Sequence, residues 1–200
     1  MGNTDKFDSV ANSYDNPERH HIAKVASDAI KEYLGETKSK KAIDFGCGTG
    51  LVGMNMLSDF ESLLFMDTSE NMLDIVKRKI TDAGALNART LCFDFESSSQ
   101  PDLRADYIFM AQVLLHIQDY EAVLAKLHAV LNDEGHLLIV DFNKNDKVVS
   151  ELVHNGFDQE QLKALMLKIG FKDIRSKTIY SGTKLFMNQD ASLFIMDGKK

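Results

Sequence analysis

The run Asp44-Phe45-Gly46-Cys47-Gly48-Thr49-Gly50 restricts this chain more than any other stretch. Ala42-Ile43-Asp44-Phe45 reads as a short buried strand. The three glycines after it let the main chain turn tightly and approach a ligand where a Cβ would stand in the way. The texture around the loop is an alternation. Ahead of it, Asn16-Pro17 opens a helix, with Asn as N-cap and Pro at the first helical position. Ile22, Val25, Ala26, Ala29, Ile30, Tyr33 and Leu34 follow helical spacing to a stop at Gly35. Behind it, Thr49 is expected to cap a helix carrying Leu51, Met54 and Leu57. A second strand, Ser62–Met66, ends at Asp67, and a helix with Met72, Leu73, Val76 and Ile80 runs to Gly84. Ala88–Phe93, Asp106–Ala111 and Gly135–Phe142 read as the third, fourth and fifth strands. Between the last two lies a helix carrying Tyr120, Val123, Leu124, Leu127, Val130 and Leu131. Ser97-Ser98-Ser99, closed by Pro101, reads as a loop. Asp158 and Gln161 form a capping pair for a further helix that stops at Gly170. The tail, Lys172–Tyr180 and Ser192–Met196, offers two strands with no helix between them.

Strands alternating with helices build right-handed βαβ units on a parallel sheet, and the helix-free final pair adds an antiparallel edge. The expected class is α/β: a Rossmann-like, doubly wound, mostly parallel seven-stranded sheet. At 200 residues the chain has room for one domain. Residues 1–40 are expected as a helical lid and 41–200 as the α/β core.

Composition removes several function classes. The net charge of −7 and the lack of a clustered Lys/Arg footprint argue against nucleic-acid and anionic-membrane partners. Two cysteines, Cys47 and Cys92, make no disulfide framework and suit a reducing compartment, so a cytoplasmic location is expected. No signal peptide is expected from the polar opening stretch, and no myristoylation, because Lys6 stands where that signal wants Ser or Thr. No apolar stretch reaches the roughly 20 residues of a membrane helix.

In a doubly wound sheet the ligand lies beyond the carboxyl ends of the strands. The first strand leaves the glycine loop there. The second leaves Asp67, a carboxylate placed to accept from a ribose diol, although it would equally suit the start of the next helix. The third leaves Asp94, which is either a turn residue or a reader of an adenine amino group. With the glycine loop, the Met66-Asp67-Thr68-Ser69-Glu70-Asn71-Met72-Leu73 stretch, Asp94, the Ala111–Ile117 segment and Phe7-Asp8 with Tyr14-Asp15 in place, the chain resembles the class I S-adenosylmethionine-dependent methyltransferases. It is most similar to the small single-domain group that methylates metabolites.

That resemblance implies an enzyme moving a methyl group from S-adenosylmethionine to an oxygen, nitrogen or other nucleophilic atom of a small molecule, leaving S-adenosylhomocysteine. It implies that Asp44 and Gly46, Cys47, Gly48 and Gly50 hold the methionine part and Asp67 the ribose. Thr68 and Met72 would flank ribose and adenine, Asp94 and Phe95 would hold the adenine edge, and Gln112 would lie under the methionyl group. His116 and Tyr14 are the catalytic candidates, the first as a base at the methyl, the second closing over the cofactor. Either could instead be an ordinary packing residue. The alternatives are a non-catalytic S-adenosylmethionine binder or, from the Gly48/Gly50/Gly53 spacing, a nicotinamide-dependent oxidoreductase. The six histidines show no ligand spacing, so no metal is expected. The acceptor and the oligomeric state stay open.

Overall fold

The computed structural model describes residues 14–95 and 102–200. Phe7-Asp8, the expected loop over 97–101 and the first part of the expected lid lie outside the described residues.

Helix α1 is Pro17–Lys31, capped by Asn16, whose Oδ1 accepts from Arg19 N at 2.9 Å. Strand β1, Lys41–Phe45, is followed by α2, Leu51–Met54, then β2, Ser62–Asp67, and α3, Glu70–Asp82. Strands β3, Ala88–Cys92, and β4, Ala105–Ala111, precede α4, Tyr120–Val130, which runs directly into β5, Leu131–Phe142. Helix α5, Gln159–Ile169, leads to the hairpin of β6, Lys172–Phe186, and β7, Gln189–Lys199. The seven strands form one sheet in the order β3-β2-β1-β4-β5-β7-β6. β1 pairs parallel with β2 and β4, β2 with β3, and β4 with β5, while β7 is antiparallel to both its neighbours. The expected class and its antiparallel edge are both present.

The pleat sends alternate residues to opposite faces. Ala42, Phe65, Tyr107 and Phe109 pack with Ala23, Ala26 and Ile30 of α1 and Val76 of α3 on one face. Ile43, Met66, Ile108 and Ile139 pack with Leu124 and Leu127 of α4 and Leu162 and Met166 of α5 on the other. Helix α1 is therefore a layer of the core, and only part of it borders the site.

Several local expectations are corrected. α1 ends at Lys31, four residues before Gly35, because Glu32 already turns back onto Ile30 O. Thr49 does not cap α2; Gly50, at φ +81°, holds that position and the Thr49 hydroxyl bonds elsewhere. α2 stops at Met54, and Leu57 falls in a separate 3-10 turn, Leu57–Asp59. β5 begins at Leu131 and so includes Gly135, and the final hairpin is much longer than the Lys172–Tyr180 and Ser192–Met196 segments. The Asp158 cap holds: its Oδ1 accepts from Glu160 N at 2.9 Å and Gln161 N at 3.0 Å.

Candidate functional site

A cavity of about 810 Å3 opens where the parallel strands end. This is the crevice in which open α/β sheets hold their ligands.

At the end of β1 the loop glycines do different jobs. Gly46, at φ +67°, could carry no Cβ, which would stand 2.5 Å from Val113 Cγ1; that space belongs to a neighbouring loop. Gly48, at φ +52°, would point a Cβ into the open, with Tyr14 Cε1 at 3.9 Å its nearest neighbour. Gly48 is thus the glycine whose missing side chain leaves the cavity open beside the loop. Cys47 and Thr49 border the cavity, but Asp44 and Gly50 do not. Asp44 is 2% exposed and its Oδ2 accepts from Gly53 N at 3.0 Å, so it supports the loop from beneath. Burial pushes its carboxyl up to about 7, the Gly53 N–H opposes the shift and the Asp67 charge adds to it. Burial also raises the Cys47 thiol well above its ordinary value, which keeps it a neutral loop filler.

At the end of β2, Asp67 Oδ2 accepts from Gly48 N at 2.8 Å and Oδ1 from Ser69 N at 2.9 Å. Ser69, not Asp67, caps α3, with its Oγ accepting from Met72 N at 3.1 Å. Thr68 and Met72 follow Asp67 along the wall. At the end of β3, Phe93, Asp94 and Phe95 border the same cavity. Phe95 packs edge-on against Phe45 and Phe93, with 5.2 Å between centroids in each pair, and its carbonyl accepts from Lys126 Nζ. Tyr14 closes this side, with the Arg19 guanidinium 3.5 Å above its ring centroid. Burial raises the phenol's pKa against the opposing Arg19 charge, so the ring stays neutral.

The other side of the cavity begins at β4. Gln112 takes a left-handed φ of +56° and its N donates to Val140 O at 2.7 Å. The segment after it is a 3-10 turn, Leu114–His116, not an α-helix. His116 therefore does not stand one α-turn above Gln112, although both border the cavity. Two features here escaped the sequence reading. Asp141, fully buried at the end of β5, accepts from Leu115 N at 3.2 Å through Oδ2 and from Phe142 N at 2.7 Å through Oδ1. It supplies the N-terminal cap that the turn's own residues lack. Burial pushes its carboxyl up to about 7, against those main-chain donors. The tip of the β6–β7 hairpin reaches over the site, bringing Lys184, Leu185, Phe186 and Met187 to the wall, with Phe186 stacked flat on Phe142 at 4.1 Å. His154, in contrast, holds that wall together: its Nε2 lies 2.8 Å from Ile117 O and its N donates to Leu115 O at 2.9 Å. No group of three or more potential metal ligands occurs among the described residues.

Residues 19–176 match the family model described as a methyltransferase domain. The chain belongs to that family. Its sheet is that of a class I S-adenosylmethionine-dependent methyltransferase. The chain is 26% identical over 147 residues to a ubiquinone biosynthesis O-methyltransferase of Coxiella burnetii, covering 71% of this chain and 62% of the relative. It is 27% identical over 177 residues to the ubiquinone/menaquinone biosynthesis C-methyltransferase UbiE of Shewanella oneidensis, covering 72% of this chain and 70% of the relative. Among solved structures, Haemonchus contortus phosphoethanolamine N-methyltransferase 2, in complex with phosphomonomethylethanolamine and S-adenosylhomocysteine, superposes with a TM-score of 0.74 at 16% identity. That match covers 87% of this chain and 52% of the other, so it speaks for the fold. The chain spans about three-fifths of the length of the first curated relatives it matches.

The methyltransferase fold also disposes of the dinucleotide spacing. A Cβ at Gly53 would stand 2.4 Å from Phe65 Cε1 and 2.6 Å from Asp44 Oδ2, so that glycine serves internal packing. α2 spans only Leu51–Met54 and cannot supply the long helix N-terminus that a pyrophosphate rests on.

Proposed function

We propose that this chain works as one domain and transfers a methyl group from S-adenosylmethionine to a small-molecule acceptor. One observation carries the reading: three successive strand ends place the bare Gly48 main chain, the Asp67 carboxylate and the Asp94–Phe95 edge around a single cavity. In this reading the Gly46–Gly48 turn receives the methionine part and Asp67 the ribose hydroxyls. Thr68 and Met72 flank the sugar, Asp94 and Phe95 take the adenine, and Gln112 lies under the methionyl group. Asp44 acts from beneath by fixing the Gly53 end of the loop.

The donor supplies an electrophilic methyl activated by its positive sulfur. An acceptor lone pair forms the new bond to the methyl carbon while the carbon–sulfur pair returns to sulfur, giving S-adenosylhomocysteine. The chain's contribution is then alignment and exclusion of water. The side of the cavity beyond Gln112 is mostly apolar, with Leu115, Ile117, Phe142, Val153 and Phe186, which suits a small molecule with an apolar body. His116 is the group on that wall able to take an acceptor proton. The relatives named above act, by their names, at oxygen, carbon and nitrogen.

The test is direct. S-adenosylmethionine and S-adenosylhomocysteine should raise the melting temperature, with about 2.7 kcal/mol of stabilisation at 100-fold over the dissociation constant. NAD(H) and NADP(H) should leave it unchanged. Turnover to S-adenosylhomocysteine with one member of a metabolite panel establishes an enzyme. Donor binding without turnover across phenols, amines and carboxylic acids would favour a non-catalytic binder.

A further inference from the structure

Three parts of the chain that lie apart in sequence meet at one carboxylate outside the cavity. Asp15 follows Tyr14 and precedes α1. Its Oδ1 accepts from the Thr49 hydroxyl of the glycine loop at 2.5 Å, and its Oδ2 pairs with Lys79 Nζ of α3 at 2.7 Å. Lys79 also donates to Thr49 O at 2.8 Å, so carboxylate, hydroxyl, carbonyl and ammonium close a ring. This is why Thr49 is not the helix cap that its sequence position suggests. Asp15 and Lys79 keep 27% and 26% of their side-chain exposure, so neither is needed to fill the core. Charge-assisted bonds of this kind are short and directional, and a partly shielded ring loses less to solvent than an open surface pair.

The ring has a position that matters. Each partner sits beside a cavity residue. Asp15 adjoins Tyr14, which stands across from the open face of Gly48. Thr49 adjoins Gly48 itself. Lys79 lies on the helix that begins just after Asp67, whose Oδ2 holds Gly48 N. We propose that Asp15 is a positioning residue: through Thr49 and Lys79 it locks Tyr14 onto the glycine loop, and so holds the methyl-donor site in its arranged form. This rests on the reading of the cavity as a methyl-donor site. With the ring intact, the loop and its cover are already arranged for the donor. Without it, the arranged state is only one of several, and apparent affinity drops by the fraction of molecules in it.

The experiment uses the full chain and S-adenosylhomocysteine as probe, followed by calorimetry. Asp15→Asn and Lys79→Met should each weaken binding roughly tenfold, as a fall of the arranged fraction to about one tenth requires. The double variant should bind no worse than the weaker single, because both act on one ring. Lys77→Met, which removes an exposed pair with Asp74 on the same helix, should bind like the parent. The chain has no tryptophan, so Tyr14→Trp provides a single emission reporter of the segment. Adding Asp15→Asn should shift that emission to the red as the ring gains water. Parent-like binding by both singles, additive losses in the double, or an unmoved reporter would overturn the proposal while leaving the methyl-donor reading in place. A parent chain that binds no S-adenosylhomocysteine would overturn both.

Discussion

The two sides of the cavity rest on the same device and differ in how they are assembled. Each stands on a buried carboxylate that accepts main-chain N–H groups: Asp44 takes Gly53 N under the glycine loop, and Asp141 takes Leu115 N and Phe142 N under the 3-10 turn. The side above Asp44, proposed above to take the donor, is made of strand ends and the turns immediately after them. The side above Asp141, proposed above to take the acceptor, is stitched from the β4 exit, the segment around His154 and the far hairpin tip. A side built from consecutive turns presents main chain and carboxylates in a fixed pattern. A side built from distant segments presents mostly side chains.

The sharpest way to break this division is to fill the donor side. Gly48→Val places a branched side chain at a left-handed position facing open cavity, so S-adenosylhomocysteine binding should disappear from calorimetry while far-ultraviolet circular dichroism stays native-like. Parent-like binding would move the donor elsewhere. His116→Asn probes the other side. If this residue takes the acceptor proton, kcat should fall by roughly 10²–10⁴-fold with donor affinity little changed, measured by single-turnover kinetics once an acceptor is known. Loss of donor binding instead would erase the boundary between the sides. Asp67→Ala should weaken S-adenosylhomocysteine by about 1.5–3 kcal/mol, the range for hydrogen bonds to a charged group, and also loosen Gly48 N.

The smallest effect concerns the paired carboxylates. Both titrate near 7 because burial disfavours their charge, against about 3.9 for an unfolded Asp. The folded state therefore binds more protons than the unfolded between those values. The stability each group contributes is full below about pH 4 and is lost as pH rises through about 7. The melting temperature of Asp44→Asn and of Asp141→Asn, relative to the parent, should improve as pH climbs from about 4 to 7 and level off above that. A flat difference for one variant alone would show that the two supports are not equivalent.

Much of the donor side was legible because its signals are short-range. The glycine loop, Asp67 and Asp94 follow apolar runs directly, and all but Asp44 and Gly50 of the expected cofactor residues border the cavity. Asp44 reads as a site residue by its place in the loop, yet its neighbours turn it inward beneath Gly53. The acceptor side gave weaker signals. Asp141 lies within an apolar strand, where an acidic residue has no local reading until the 3-10 turn is folded against it. Lys184, Met187 and Asn188 adopt left-handed backbones at the hairpin end, although none is glycine, and so gave no punctuation to the sequence.

The sequence by itself determined the order and kind of the elements, the antiparallel tail and the acidic strand ends, because hydrophobic period, glycine φ and cap chemistry act over a few neighbouring residues. Only the tertiary structure decided which glycine faces the cavity, that Thr49 bonds Asp15 instead of capping a helix, and which hairpin covers the acceptor wall. Those outcomes depend on which side chain from a distant segment takes a given space or hydrogen bond, and that competition is settled only when the layers pack.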